Sequence, residues 1–327
     1  MRSRDIVNIC KKSYQIGEDC QDLSIIERDW ETIINKIRNG KAHEISEGDT
    51  LYLGACTKGA SAASYRKQPF SDIPAKQRAY SLKQSYMTNI LNSYIFGTET
   101  DERIVKDPKL LRKMGFEEYI ISKVTPYIGK SQSALLHEFG IVTNAKNVNE
   151  IILARILSVQ GRITATDEFK KANIIPKTIR IQKNGRIKES MSFPTFRFTE
   201  IITEIWDDSE LRNYLEPAKF LFVIFRETSE NEYSLESLKF WNIPVDDLSE
   251  VQKVWERTVQ IIKDGVELNF DGRVTHNNLP GQSFNHVAHV RPHGRNAKDT
   301  NPLPDGRNMT KQCFWFNNSY VKSIIGN

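Results

Sequence analysis

Trp30-Glu31-Thr32-Ile33-Ile34-Asn35-Lys36-Ile37-Arg38-Asn39-Gly40 is answered far down the chain by Trp255-Glu256-Arg257-Thr258-Val259-Gln260-Ile261-Ile262-Lys263-Asp264-Gly265. In both stretches Trp and Gly stand ten residues apart, apolar residues come four and seven after the Trp, and a base precedes the Gly by two. That spacing predicts one face of an amphipathic helix, stopped by a glycine able to turn left-handed. The segments downstream of the two helices also recur. After Gly40 come a strand-like stretch (Thr50 to Leu53), a basic loop, and Lys76-Gln77-x-x-Tyr80-x-Leu82; after Gly265 come His286 to Val290, a basic loop, and Lys311-Gln312-x-x-Trp315. Ser85-Tyr86 and Ser319-Tyr320 close the copies with a one-residue slip. An internal repeat of helix, strand, basic loop and aromatic strand therefore organises the chain.

Between the copies, Gly97 to Asp107 is polar and reads as a linker, and Pro108 to Pro126 reads as helical. Helices are expected at Ser133 to Phe139, Asn149 to Val159 and Phe198 to Trp206. Strands are expected at Ile174 to Gln182 and Ile187 to Phe198, joined as a hairpin by Asn184-Gly185, and at Phe220 to Phe225 and Ser237 to Trp241. The fold class is thus α/β, of the mixed α+β kind. Residues 1–95 read as the end of a first domain, 96–130 as linker and helix, and 131–327 as a second domain. The stretch before Trp30 is too short for the beginning of the first copy, which suggests a fragment or a split gene.

With 39% hydrophobic and 27% charged residues, the composition is that of a globular protein with room for two cores. The longest apolar run, Phe220 to Phe225, is far shorter than the roughly 20 residues of a membrane span and suits a buried strand. Met1-Arg2-Ser3-Arg4-Asp5 leads into no apolar signal region, and Cys10, Cys20, Cys56 and Cys313 are scattered, so a cytoplasmic location with reduced thiols is expected. The net charge of +5 is modest, but its distribution is uneven. Lys58, Arg66, Lys67, Lys76, Arg78 and Lys83 crowd one loop region; Arg291, Arg295, Lys298, Arg307, Lys311 and Lys322 crowd the other. Both blocks carry aromatics, the combination suited to phosphates and base edges.

Three segments resemble the MutH/Sau-three-AI-like family of GATC-specific type II restriction endonucleases: Gly48-Asp49-Thr50-Leu51-Tyr52-Leu53-Gly54-Ala55-Cys56-Thr57-Lys58-Gly59-Ala60, Ala75-Lys76-Gln77-Arg78-Ala79-Tyr80-Ser81-Leu82-Lys83, and His289-Val290-Arg291-Pro292-His293. The resemblance implies a MutH-like restriction-endonuclease fold, with the end of one copy followed by one complete degenerate copy. It also implies a catalytic Asp and a Glu-x-Lys holding Mg²⁺ on adjacent strands. In Ile174-Ile175-Pro176-Lys177-Thr178-Ile179, Lys177 matches the lysine while Ile175 stands at the glutamate position. No catalytic residue and no metal or cofactor is therefore expected in this chain; Mg²⁺ belongs to the full enzyme. Asp167-Glu168-Phe169-Lys170 is read as a polar stretch ahead of the strand, and Asp107-Pro108-Lys109 as a helix start rather than a metal site.

The partner that the resemblance implies is double-stranded DNA containing GATC, with an N-terminal catalytic domain outside this chain. Arg291 matches the arginine that reads the site, since a guanidinium can bind guanine O6 and N7 together. DNA contacts are expected from Lys58, Arg66, Lys67, Lys76, Arg78, Lys83, Arg291, His293, Arg295, Lys298, Lys311 and Trp315, with Trp315 equally readable as strand core. In the first copy Lys58 or backbone groups would have to read bases. Two other readings stand beside this one: an active Mg²⁺-dependent endonuclease, and a zinc-binding or protein-interaction domain built on His286, His289 and His293.

Overall fold

A computed structural model describes residues 21–58, 64–95, 102–187, 190–230 and 232–326; Cys10, Cys20 and the first residues of the chain lie outside this set. In chain order the elements are α1 (Gln21–Arg38), β1 (Leu53–Thr57), β2 (Tyr65–Gln68), β3 (Ser71–Lys76), β4 (Arg78–Leu82), α2 (Gln84–Ile95), α3 (Leu110–Lys113), α4 (Phe116–Val124), α5 (Gln132–Glu138), α6 (Val148–Ile156) and α7 (Asp167–Ala172). Then come β5 (Ile174–Ile181), β6 (Met191–Phe196), α8 (Phe198–Ile201), α9 (Glu210–Leu215), β7 (Lys219–Ser229), β8 (Glu232–Trp241) and α10 (Val245–Asp264). Next are β9 (Leu268–Phe270), β10 (Thr275–Asn277), β11 (Ala288–Pro292), β12 (Thr300–Pro302), β13 (Asn308–Thr310), β14 (Gln312–Phe316) and α11 (Asn318–Ile325). This is an α+β chain, and none of its described helices is long and apolar enough to cross a membrane.

The repeat is present as structure. Helix α1, strand β1, hairpin β2–β3, strand β4 and helix α2 recur as α10, β11, β12–β13, β14 and α11. In each copy the outer strands pair antiparallel, from Leu53↔Leu82 to Thr57↔Arg78 and from Ala288↔Phe316 to Pro292↔Gln312. The strands begin later than the sequence pattern suggests, at Leu53 and Ala288. Gly40, at φ +71°, must be glycine for a second reason: a Cβ there would lie 2.5 Å from the Phe70 carbonyl oxygen.

Two compact units interleave along the sequence: Met1–Asn184 with Pro217–Asn242, and Gly185–Glu216 with Ile243–Asn327. They cut across the boundaries expected at residues 95 and 130, because the pairing in the first unit is parallel. Strand β5 pairs parallel with β7 (Ile174↔Lys219 to Ile181↔Arg226), and β8 adds antiparallel on the far side of β7. Parallel neighbours need a long crossover, and this one carries β6, α8 and α9 into the second unit. The expected hairpin at Asn184-Gly185 is corrected accordingly. Gly185 does turn at φ +75°, yet β6 pairs with β14 instead of β5. Local turn chemistry fixed the bend and a distant strand chose the partner.

In the first unit, β7 is the apolar middle strand, with Phe220 to Phe225 all buried. Leu221, Val223 and Phe225 face a core built from Ile120, Val124, Leu135, Ile152, Leu153 and Phe169, which also takes in Ile25, Tyr52, Tyr86 and Ile90 of the first repeat copy. The end of the first copy is therefore part of this core. Beneath it lies a buried charge cluster: the fully buried Lys171 donates to Asp22 Oδ2 at 2.9 Å and Asp167 Oδ2 at 2.8 Å, and Tyr86 Oη donates to Asp22 Oδ2 at 3.1 Å. Glu168, also buried, accepts the N–H groups of Ile104 and Val105 at 3.0 Å each. The stretch read as polar and ahead of the strand is thus the buried helix α7, and its charges are structural. Desolvation raises the Asp167 pKa against the opposing pull of Lys171.

In the second unit, β14 lies between β11 and β6 with all five residues buried. Phe193 meets Phe316 edge-on at 4.7 Å, Phe196 meets Phe314 at 5.1 Å, and Trp206 packs on Trp255 of α10 at 5.7 Å.

Removing the cation from the buried cluster should be costly. Lys171→Met leaves Asp22 and Asp167 without a counter-ion, and a loss of about 3–5 kcal/mol in urea unfolding is expected. A change below about 1 kcal/mol would show that the carboxylates find water or protonate at little cost.

Candidate nucleic-acid interface

The loop between β11 and β12 is held rigidly from within. Asp299 accepts the Arg295 N–H at 3.0 Å and the Lys311 ammonium at 2.6 Å, while its carbonyl accepts the Lys311 N–H at 3.0 Å. The Asn296 side chain accepts the Lys298 N–H at 2.9 Å, and Thr310 Oγ1 donates to the Ala297 carbonyl at 3.2 Å. Gly294 sits in the crease: a Cβ there would meet the Asp299 carbonyl oxygen at 2.9 Å and the Asn296 carbonyl oxygen at 3.0 Å. Neither Asp299 nor Gly294 was singled out from the sequence, although a glycine just after Arg-Pro-His and an Asn-x-x-Asp turn were the available signals.

On this scaffold Arg291, His293, Arg295 and Lys298 are all exposed. The Arg291 guanidinium lies 4.4 Å from the centroid of the Trp315 ring, within cation–π range, with Ser190 Oγ 3.5 Å from one terminal nitrogen. His293 meets the same ring edge-on at 5.0 Å, and Trp315 Nε1 donates to the Arg291 carbonyl at 3.3 Å. Trp315 itself is only 8% exposed. The expectation of a direct contact from Trp315 is therefore corrected to a supporting platform. Lys311, tied to Asp299, is likewise spent on the loop. His289 is buried against Asn317 at 2.6 Å, and burial lowers its pKa. His286 is exposed, and among the described residues no three His, Cys, Asp or Glu side chains gather as a metal site.

The first copy presents its cations differently. Lys58, Arg66 and Lys67 are exposed, and Lys76 and Arg78 are half-buried. Lys83 is not available: it is 4% exposed, its ammonium donates to the Thr50 carbonyl, and desolvation lowers its pKa to about 8. It is a buried strap, because its strand turns inward at that point. Aligning the two registers on Gln77 and Gln312 places Thr57 where the second copy has Arg291. Directly across from Thr57 is Arg78, as Cys313 is across from Arg291. Opposed residues of an antiparallel pair share a face, so the guanidinium of the first copy stands at the same place on the sheet but comes from the other strand. Arg78 donates to the Ala55 carbonyl at 2.6 Å.

Lys177 lies on the face of the β5–β7–β8 sheet opposite the core. The rows on this face are Ile175, Phe220 and Trp241; Lys177, Phe222 and Lys239; and Ile179, Ile224 and Ser237. Phe220 and Phe222 stack at 6.2 Å, each 5.8 Å from Trp241. Burial lowers the Lys177 pKa. None of these side chains is a carboxylate. Mg²⁺ requires hard oxygen donors, so the residues at this place do not fit the ion that the family implies.

A duplicated α+β unit that holds guanidinium groups on rigid loops fits a protein of the restriction-enzyme class. The chain is 38% identical over 351 residues to the type II restriction enzyme Sau3AI of Staphylococcus aureus, a match spanning 95% of this chain and 72% of that one. No family model matches it. The chain belongs to the Sau3AI family of type II restriction enzymes.

Gly294→Ala should loosen the loop without unfolding the sheet. Amide exchange at Arg295, Lys298, Asp299 and Lys311 is expected to quicken roughly tenfold while β14 amides are unchanged. Unaltered exchange in the loop would mean that its backbone can yield around a Cβ.

Proposed function

We propose that this chain is the sequence-specific, GATC-directed duplex-DNA-binding portion of a type II restriction endonuclease, built of MutH-like copies, and that it cuts no DNA by itself. The observation that carries this reading is Arg291, an exposed guanidinium laid on a buried tryptophan at the foot of a self-tied loop. A fixed, planar donor pair can bind guanine O6 and N7 together, and holding it in place beforehand reduces the entropy lost on binding. Arg295 and Lys298 beside it, with Lys58, Arg66, Lys67 and Lys76 in the first copy, supply phosphate contacts that position without specifying. The carboxylate-free face around Lys177 supports the second half of the proposal. A catalytic domain outside the chain would then hold the Mg²⁺ of the full enzyme. The identity with Sau3AI supports the overall assignment.

Arg291→Ala should lower the preference for GATC duplexes over scrambled ones by about 1–3 kcal/mol, whereas Lys298→Ala should weaken both equally. The pair is compared by titration at one salt concentration, since affinity from phosphate contacts falls steeply with salt. Equal weakening by Arg291→Ala would make this arginine a phosphate contact.

With Mg²⁺ and GATC plasmid the purified chain should leave the substrate intact. Cleavage that disappears in Lys177→Ala would overturn the inactivity.

A further inference from the structure

We propose that the outer edge of β4 and the adjoining face of α1 form a docking surface for a strand-and-helix segment of a separate polypeptide, the first-copy counterpart of Met191–Leu215. The inference rests on the reading that the chain is two copies of one fold with a catalytic part outside it.

The second copy shows what the first lacks. Strand β14 has partners on both sides, β11 and β6, whereas among the described residues β4 pairs with β1 alone. Every residue of β14 is buried and none of β4 is. The same contrast runs along the helices. Leu23 is 38% exposed where its repeat counterpart Leu248 is 8%, Trp30 is 46% where Trp255 is 5%, and Tyr80 is 48% where Trp315 is 8%. In the second copy the covering is done by the crossover: β6 lies along β14, Trp206 packs on Trp255, and Leu211 and Leu215 of α9 are buried as the helix packs against α10.

The surface also indicates the chemistry of its partner. Nucleic acid is disfavoured on α1, because Glu27 and Glu31 flank Trp30 on the exposed side of the helix. The N–H groups of Tyr80 and Leu82 turn away from β1, given the alternation set by Lys83 N–H bonding to Tyr52 and Lys58 N–H to Gln77. A strand added antiparallel there, in the register that β6 takes on β14, would lie opposite Gln77 to Ser81. Where β14 offers Phe314 and Phe316 to β6, β4 offers Ala79 and Ser81, so the added strand would bring the large apolar side chains. A helical piece with an aromatic and leucines would come after it, onto Leu23 and Trp30.

The test uses the full chain and, as probe, the part of the Staphylococcus aureus relative lying outside the matched 72%, made as a separate polypeptide. Binding is read by titration, and exchange of the Tyr80 and Leu82 amides should slow at least tenfold on mixing, on the order of a fully ordered strand. Trp30→Glu, on the surface, and Tyr80→Pro, which removes an N–H that β1 does not use, should each weaken binding at least tenfold with unchanged circular dichroism. Arg291→Ala should leave this binding unaltered. Binding equal in wild type and both variants, no association at all, or self-association of the chain that Trp30→Glu abolishes would each overturn the proposal. Loss of GATC preference in Arg291→Ala with no docking would refute the docking alone; docking without any GATC preference would refute the base-reading alone.

Discussion

Parallel pairing of β5 with β7 is the constraint on which the rest of the arrangement depends. Two parallel neighbours cannot be joined by a tight turn, so the chain must leave the sheet after Ile181 and return at Lys219. The excursion is not idle. It supplies β6, which makes β14 an interior strand, and a buried β14 is what allows Trp315 to lie still beneath Arg291. A topological requirement in one unit thereby sets the rigidity of a side chain in the other.

Basic residues divide sharply by what their heads touch. Lys171 and Lys83 are interior, each compensated by carboxylate or carbonyl oxygens, since an unpaired ammonium in an apolar interior is too costly to persist. Lys311 and Arg307 pair with acids two to twelve positions away and hold loops in shape. What remains for an outside ligand is a smaller set than the count of 46 Lys and Arg suggests, and it gathers on the loops between the paired strands. Net charge thus describes this surface poorly, whereas the disposition of each head group describes it well.

On the face that carries Lys177, aromatic stacking occupies the space where a metal-binding pair would need water and hard oxygens. Phe220, Phe222 and Trp241 gain burial and ring contacts there. Restoring one glutamate at Ile175 would place a charge beside Phe220 without the second carboxylate that a divalent ion requires, so the change is not reversible by a single substitution.

The sequence by itself determined the local elements and their duplication. The Trp-to-Gly helices, the apolar run Phe220 to Phe225 and the matched Lys-Gln-x-x-aromatic strands are set by spacing, because periodicity fixes which side chains share a face. The Ile175 substitution and the basic loops were equally plain. Only the tertiary structure decided which strands meet. Asn184-Gly185 bends the chain as its residue types require, yet β5 and β6 go to different sheets, since pairing is chosen by distant apolar surfaces that no local pattern records. The same holds for Lys83 and Trp315, whose residue types suit a DNA surface and whose burial is set by neighbours far along the chain. Between Tyr80 and Trp315 the local pattern is alike, and only the presence of β6 beside one of them makes it interior.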